Sequence, residues 1–248
     1  MMLAMVELRK WGATPTFGPR QWLRHRLIVK ELKNALVQGL VLDAGCGEGR
    51  TLSLIAGMGY ELSGFEYSPQ AVAKAAGAAA DAGLWIGSAL EIPVKDQSFD
   101  AVISGDVLEH LDDDKRAVSE IFRILKPGGI AIVSVPADPS KWSIDDEWSG
   151  HKRRYTQKTL TGIFEGAGFK TRKCHTWGWP ITAAYLRFLY LPMLRKKLQT
   201  TAKPSQPQGL KPSPLLNRLF SIILLPDLIM TNSPSGIGIV ASFVKSPE

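Results

Sequence analysis

The residues best suited to chemistry lie in a glycine-rich turn and in one acidic residue that follows it. An apolar run ends at Asp43, and glycines occupy positions 45, 47 and 49 before a helical pattern begins. Glycines at this spacing let a ligand lie against the backbone and the helix amino terminus, where side chains would block it. Glu66 ends the next apolar run, 23 residues after Asp43, where a carboxylate can accept hydrogen bonds from ribose hydroxyls. The pattern predicts a nucleoside-binding site, with a plain strand-to-helix turn as the alternative.

A second group of residues could move a proton or hold an anion. Glu109 and His110 follow another apolar run, and His151 opens a basic stretch. These three are the candidate catalytic residues, because carboxylates and imidazoles can take the proton of a hydroxyl. A supporting role at a helix start is the alternative for the Glu-His pair. The basic stretch could bind a substrate phosphate or carboxylate, or form a solvated turn; its members are Lys152, Arg153, Arg154 and Tyr155.

The elements that must position these residues alternate between short apolar runs and helical stretches. Such alternation predicts a parallel sheet covered by helices on both faces. The predicted strands are Gly39–Asp43, Tyr60–Tyr67, Leu84–Gly87, Phe99–Ser104, Ile130–Val135, Phe169–Thr176 and Ile237–Val244. Helices are expected over Arg20–Leu36, Arg50–Gly57, Pro69–Ala82, Asp112–Leu125 and Thr156–Ala167, with a helix stop at Lys126–Gly129 and a polar loop over Ala137–Gly150.

Four segments together resemble a known family. VLDAGCGEGR, Glu66 at a strand end, SFDAVISGDVLEHL and LKPGG are similar to the class I S-adenosylmethionine (SAM)-dependent methyltransferases, and most to the branch with the quinone-biosynthesis enzymes. The resemblance covers about residues 39–176, and Ile237–Val244 resembles the family's last, antiparallel strand. It implies a Rossmann-like, seven-stranded, mostly parallel sheet with helices on both faces and, here, a helical insertion before the last strand.

The resemblance also implies SAM as cofactor and assigns the residues that hold it. The glycine loop would hold the methionine portion and Glu66 the ribose. Ser88 stands where the family usually has an aspartate near the adenine, so that contact departs from the pattern. The implied cofactor-binding residues are Asp43, Gly45, Cys46, Gly47, Gly49, Glu66, Tyr67, Ser88, Ala89, Ser104 and Gly105.

A nicotinamide dinucleotide is the alternative ligand for the glycine loop. The nicotinamide fingerprint is G-x-G-x-x-G, whereas this loop has glycines at every second position and is preceded by Asp43. A carboxylate in the loop would repel a pyrophosphate and attract the ammonium of a methionine moiety. Charge therefore favours SAM as well.

Charge divides the chain into two unequal parts. The 30 Lys and Arg exceed the 23 Asp and Glu, and residues 1–150 carry a net −5 while residues 151–248 carry +12. Such asymmetry predicts that the second part meets an anion. We divide the chain into an N-terminal helical cap (1–38), a SAM-binding core (39–176), an apolar and basic helical insertion with a proline-rich linker (177–236), and a final strand and tail (237–248).

The insertion combines apolar aromatic residues with basic ones. This composition fits a peripheral membrane contact through residues 177–230, and a lid over the site or a dimer face are the alternatives. Nucleic acid fits less well, because the basic residues alternate with long apolar runs. No stretch reaches the roughly 18 apolar residues of a spanning helix, and the amino terminus lacks a signal-peptide pattern. Two distant cysteines, Cys46 and Cys174, predict no metal site. A cytoplasmic protein, free or peripheral at the inner membrane face, is expected.

The sequence thus predicts a SAM-dependent methyltransferase that acts, by in-line displacement, on a small-molecule or lipid-linked acceptor at an oxygen atom. An RNA methyltransferase, an NAD(P)-dependent oxidoreductase and a non-catalytic SAM-fold binding protein remain as alternatives. Monomer and homodimer are both open.

Overall fold

The fold is built on one mostly parallel sheet. The computed structural model describes residues 18–200 and 213–246. Within these residues, seven strands pair in the order β3-β2-β1-β4-β5-β7-β6, and only β7 runs antiparallel to its neighbours. This confirms the predicted fold class. The strands are Gly39–Ala44 (β1), Tyr60–Glu66 (β2), Gly83–Ile86 (β3), Phe99–Gly105 (β4), Leu125–Pro136 (β5), Phe169–Trp177 (β6) and Gly238–Lys245 (β7).

Helices cover both faces of the sheet. Their starts follow the expected chemistry: Ser68 caps one helix and Pro69 occupies its first turn, where a missing N–H costs nothing. The helices are Pro19–Asn34 (α1), Arg50–Ile55 (α2), Pro69–Ala78 (α3), Asp114–Ile124 (α4), Ile144–Ser149 (α5), Gln157–Gly166 (α6), Ile181–Tyr185 (α7), Leu191–Thr200 (α8), Pro214–Ile223 (α9) and Leu225–Ile229 (α10). A π-helical segment, Leu186–Tyr190, joins α7 to α8.

The central strands are buried because helices pack on both of their faces. On one face, Leu27, Ile28 and Leu32 of α1 lie against the sheet. On the other, α4 and α6 form the larger core, in which Phe164 stacks on Phe243 of β7 with ring centroids 3.9 Å apart. The predicted N-terminal helix therefore serves as a cover of the sheet; residues 1–17 of the predicted cap lie outside the described residues.

Two local expectations were wrong. The predicted loop over residues 137–150 contains α5, which starts with a capping box between Ser143 and Asp146. The predicted stop at residues 126–129 lies inside the long strand β5, which pairs with β4 from Leu125 onward across a register shift. Short polar helices and bulged strands lack the long periodicity on which sequence reading depends.

The insertion between β6 and β7 is helical and docks on α1. Phe220 of α9 meets Trp22 edge to face at 6.2 Å, and the buried carboxylate of Asp227 accepts hydrogen bonds from the Ile181 and Thr182 amides at 2.7 Å each. Most of the predicted linker, residues 201–212, lies outside the described residues. Within residues 18–200 and 213–246, no helix has both the length and the hydropathy needed to cross a bilayer.

The Phe164–Phe243 stack should be a major source of stability. Both rings are fully buried, so Phe243→Ala leaves a cavity and should lower the free energy of unfolding by about 3–5 kcal/mol. Urea denaturation followed by circular dichroism measures this. Phe188→Ala is the matched control, because that ring is 70% exposed and its loss should change stability by less than about 0.5 kcal/mol. Equal losses in both variants would contradict the packing.

Candidate active site

A single large cavity opens at the carboxyl ends of the strands, where the strand order reverses between β1 and β4. Its volume is about 1530 Å³, larger than the roughly 300–1000 Å³ of a pocket for one drug-sized ligand. Loops after β1, β2 and β4 form one side, while α1, α5 and the insertion form the other. The position is the one at which open α/β sheets bind ligands, and the volume leaves room for two molecules.

The predicted glycine loop forms a cradle on the cavity wall. Gly45 has φ +81°, and a Cβ there would lie 2.4 Å from a Val107 methyl group, so this position requires glycine. At Gly47, with φ +54°, a Cβ would meet nothing within 4 Å, because the residue faces open space. Gly49 does not line the cavity: a Cβ would lie 3.0 Å from Ala75, so this glycine lets α2 approach α3.

The carboxylate of Glu66 is fixed at the rim of this cradle. It accepts hydrogen bonds from the amides of Gly47 (3.1 Å), Tyr67 (2.8 Å) and Ser68 (3.2 Å). These three amides hold the side chain in one orientation, as the binding of ribose hydroxyls requires. Tyr67 itself is 78% exposed and lines the cavity beside it.

Asp43 is the most strained charge in the cavity. It is 3% exposed, and its Oδ2 has no hydrogen-bond partner among the described residues. Burial raises its pKa to about 7, nearby Glu66 raises it further, and Arg24 and the Thr51 hydroxyl act in the opposite direction. An orphaned acidic oxygen that lines a cavity fits a cationic ligand group, so the residues present suit the ammonium of SAM.

The other predicted cofactor-binding residues divide between cavity and core. Cys46, Ser88, Ala89 and Gly105 line the cavity, whereas Ser104 is buried within β4 and does not. Burial raises the pKa of the Cys46 thiol, so it stays protonated and serves as a small apolar wall.

The three predicted catalytic residues come together. His110 and His151 line the cavity with ring centroids 4.7 Å apart, and Glu109 lies buried behind them. His151 Nδ1 lies 2.8 Å from Asp146 Oδ1, and its Nε2 lies 3.9 Å from Glu109 Oε1. One atom from each of Glu109, His110 and His151 lies within 4.8 Å of the others, so the group could share a proton or ligate a metal ion, which the cysteine pattern gave no reason to expect.

The predicted substrate-binding run holds the protein together to a greater extent than expected. Arg154 grips Asp146 through two nitrogens at 2.7 and 2.8 Å, Arg153 pairs with Asp114 at 2.9 Å, and Lys152 pairs with Asp112. Tyr155 is buried and donates its hydroxyl to Asp114. Only Lys152 and Arg154 of the four line the cavity.

Sequence reasoning missed the charged residues that α1 and α5 contribute to the cavity. Arg24 pairs with Asp106 at the end of β4. Arg20 donates to Asp145 at 2.5 Å, and the Tyr190 hydroxyl donates to the same carboxylate at 2.9 Å. That aspartate joins α1, α5 and the insertion around the cavity. No motif could reveal it, because its partners lie 125 and 45 residues away.

Asp43 should make ligand binding depend on pH. A cationic ligand favours the ionised carboxylate, so affinity for S-adenosylhomocysteine should be full above about pH 7 and fall by up to about tenfold per pH unit below it. Calorimetric titrations between about pH 5.5 and pH 8.5 measure this. Asp43→Asn should bind weakly with no such slope.

Glu48→Gln provides the matched control, because this acid lies in the same loop but pairs with Lys74 at 2.6 Å. It should keep the wild-type pH dependence. A wild-type affinity that stays constant across the range would refute the role given to Asp43.

The chain is similar in sequence to known methyltransferases. Residues 42–133 match the family described as a methyltransferase domain. A SAM-dependent methyltransferase of Mycolicibacterium smegmatis is 34% identical over 151 residues, which are 59% of this chain and 58% of that protein. A methyltransferase of Encephalitozoon cuniculi is 34% identical over 186 residues, 65% of this chain and 79% of that protein. The 2-methyl-6-phytyl-1,4-hydroquinone methyltransferase of Synechocystis is 25% identical over 218 residues, 80% of this chain and 65% of that protein.

The fold has the same relatives. A solved structure of a protein from Galdieria sulphuraria, described as a sarcosine dimethylglycine methyltransferase, superposes with a TM-score of 0.65 over 90% of this chain and 85% of that one, at 20% identity. The chain spans little more than half the length of the mycobacterial relatives it matches, 58% and 54%. These similarities favour SAM over a nicotinamide as the cofactor. Because the sequence match extends over most of a methyltransferase and the cradle fits the ligand, this chain belongs to the class I SAM-dependent methyltransferases.

Proposed function

We propose that this protein methylates a hydroxyl oxygen of a small-molecule or lipid-linked acceptor. The observation that carries the proposal is that the glycine cradle and the two histidines line the same cavity. SAM, when bound, supplies an electrophilic methyl group on a sulfonium. The chain must therefore hold donor and acceptor in line, exclude water and take the acceptor's proton.

His151 is the group that takes the proton. With its own proton on Nδ1, it donates to Asp146 Oδ1 and leaves Nε2 to accept the hydroxyl proton. Glu109 Oε1, 3.9 Å from Nε2, stabilises the imidazolium that results. Asp146 is a positioning residue, since it holds the ring and is itself held by Arg154. A base of this kind is needed for a hydroxyl acceptor, which supports transfer to oxygen.

The acceptor side of the cavity is aromatic. Four tryptophans contribute to its lining: Trp142, Trp148, Trp177 and Trp179. Such a wall favours an acceptor with a large apolar part, because burying that part displaces water from the rings. The Synechocystis relative, whose name gives a phytyl hydroquinone as its substrate, supports the same class of acceptor.

Removal of the base should slow the chemistry without weakening donor binding. For His151→Gln we expect kcat to fall by about 10²- to 10⁴-fold, because the acceptor proton has no recipient. Calorimetry with S-adenosylhomocysteine is the control and should give the wild-type affinity. The same assay with a chelator separates the two uses of the cluster: activity that disappears on metal removal would mean that the histidines ligate a metal ion.

The acceptor class is tested with labelled SAM against lipid extract, quinone precursors and RNA. Label in the lipid or quinone fraction supports the proposal. Label in RNA, with binding that weakens steeply as salt rises, would establish the RNA alternative. Donor binding without any labelled product would favour a non-catalytic protein.

A further inference from the structure

The insertion carries most of the exposed apolar surface of the described residues. Eleven of the sixteen large apolar side chains that are exposed there lie between Trp179 and Met230. One set follows the outer side of α9 and α10 at helical spacing: Leu215, Leu219, Ile222, Leu225 and Ile229, which we call the outer stripe. Single exposed apolar residues are ordinary, but a stripe of five indicates an interaction surface.

The outer stripe belongs to a helix whose opposite side is already used. Phe220 and Leu224 are buried against Trp22 and its neighbours on α1. The helix thus has an apolar outer side that its own fold does not need. At ten residues, α9 can lie along a bilayer but is too short to cross it.

A second exposed apolar group borders the cavity. Phe188 and Leu189, in the π-helical segment, are 70% and 65% exposed, and Phe188 also lines the cavity together with Arg187, Leu191 and Arg195. We call residues 186–195 the mouth segment. Apolar and cationic side chains therefore meet where an acceptor can enter.

The charge of the insertion is one-sided. Between residues 178 and 236 the sequence has one acid, Asp227, against seven Lys and Arg. Asp227 is fully buried and committed to the amides of α7. Among the described residues, the outer surface of the insertion therefore offers guanidinium and ammonium groups beside its apolar side chains, as on helices that rest on anionic lipid.

We infer that the outer stripe and the mouth segment seat the protein on an anionic membrane surface, so that a lipid-linked acceptor enters the cavity from the bilayer. The entry route rests on the proposed function; the docking does not. The apolar side chains enter the headgroup region, and Arg187, Arg195 and Arg218 remain at the level of the lipid phosphates. The mouth then opens towards the membrane and not towards bulk water.

Vesicle co-sedimentation tests the docking. Wild type should sediment with phosphatidylcholine vesicles that contain phosphatidylglycerol at about 0.1 M salt, and much less at about 1 M salt or without the anionic lipid. Leu215→Ser/Ile222→Ser should lower partitioning by about tenfold or more. Each of Arg187→Gln, Arg195→Gln and Arg218→Gln should lower it by about fivefold. Leu36→Ser is the matched control: Leu36 is 86% exposed but lies outside the insertion, and partitioning should not change.

Three readouts keep the inference separate from the proposed function. Binding of S-adenosylhomocysteine by Leu215→Ser/Ile222→Ser reports that the variant is folded and should match wild type. Wild type that stays in the supernatant at low salt would overturn the docking, whatever its activity. Light scattering that shows a wild-type dimer, and a monomer for the same variant, would assign the outer stripe to a second copy and would also overturn it.

Discussion

The reversal of strand order at β1 is the constraint on which the rest of the structure depends. β1 pairs in parallel with β2 on one side and β4 on the other. The chain leaves these strands in opposite directions, so their loops diverge and a crevice opens between them. The amides of Gly45 and Cys46, at the start of the first loop, donate to the Phe65 carbonyl at 2.9 Å. The floor of the cavity is therefore hydrogen-bonded backbone, which can present a ligand site with little reorganisation.

The walls of the cavity are set by buried acids. Asp145 and Asp146 are 2% and 0% exposed, and each is satisfied by cations or hydroxyls from other elements. An uncompensated buried carboxylate is costly, so each acid favours the arrangement that brings its partners close. In this way Asp145 fixes Arg20 of α1, and Asp146 fixes His151 and Arg154. The short helix α5 is thus placed by charge pairing more than by its own helical propensity.

Much of the fold could be predicted from sequence, because the strands are long apolar runs and the glycine loop has one plausible use. The position of Glu66 against the Gly47 amide follows from the parallel pairing of β1 with β2. The Asp145 clasp could not be predicted, since it joins residues far apart in the chain. The role of Arg153 was also hidden, because a sequence cannot distinguish a guanidinium that binds a ligand from one that caps a nearby Asp114.

The charge asymmetry along the chain has a partly internal explanation. Lys152, Arg153 and Arg154 pair with acids that lie before residue 150, and Arg172 and Lys173 of β6 both pair with Glu31 of α1. Much of the positive charge of the second part thus neutralises the negative charge of the first across the folded structure. The insertion differs, because its one acid is buried and its described cations have no carboxylate of their own segment to pair with. Folding therefore narrows the surface that favours an anionic partner from the whole second part of the chain to the helices beside the cavity mouth.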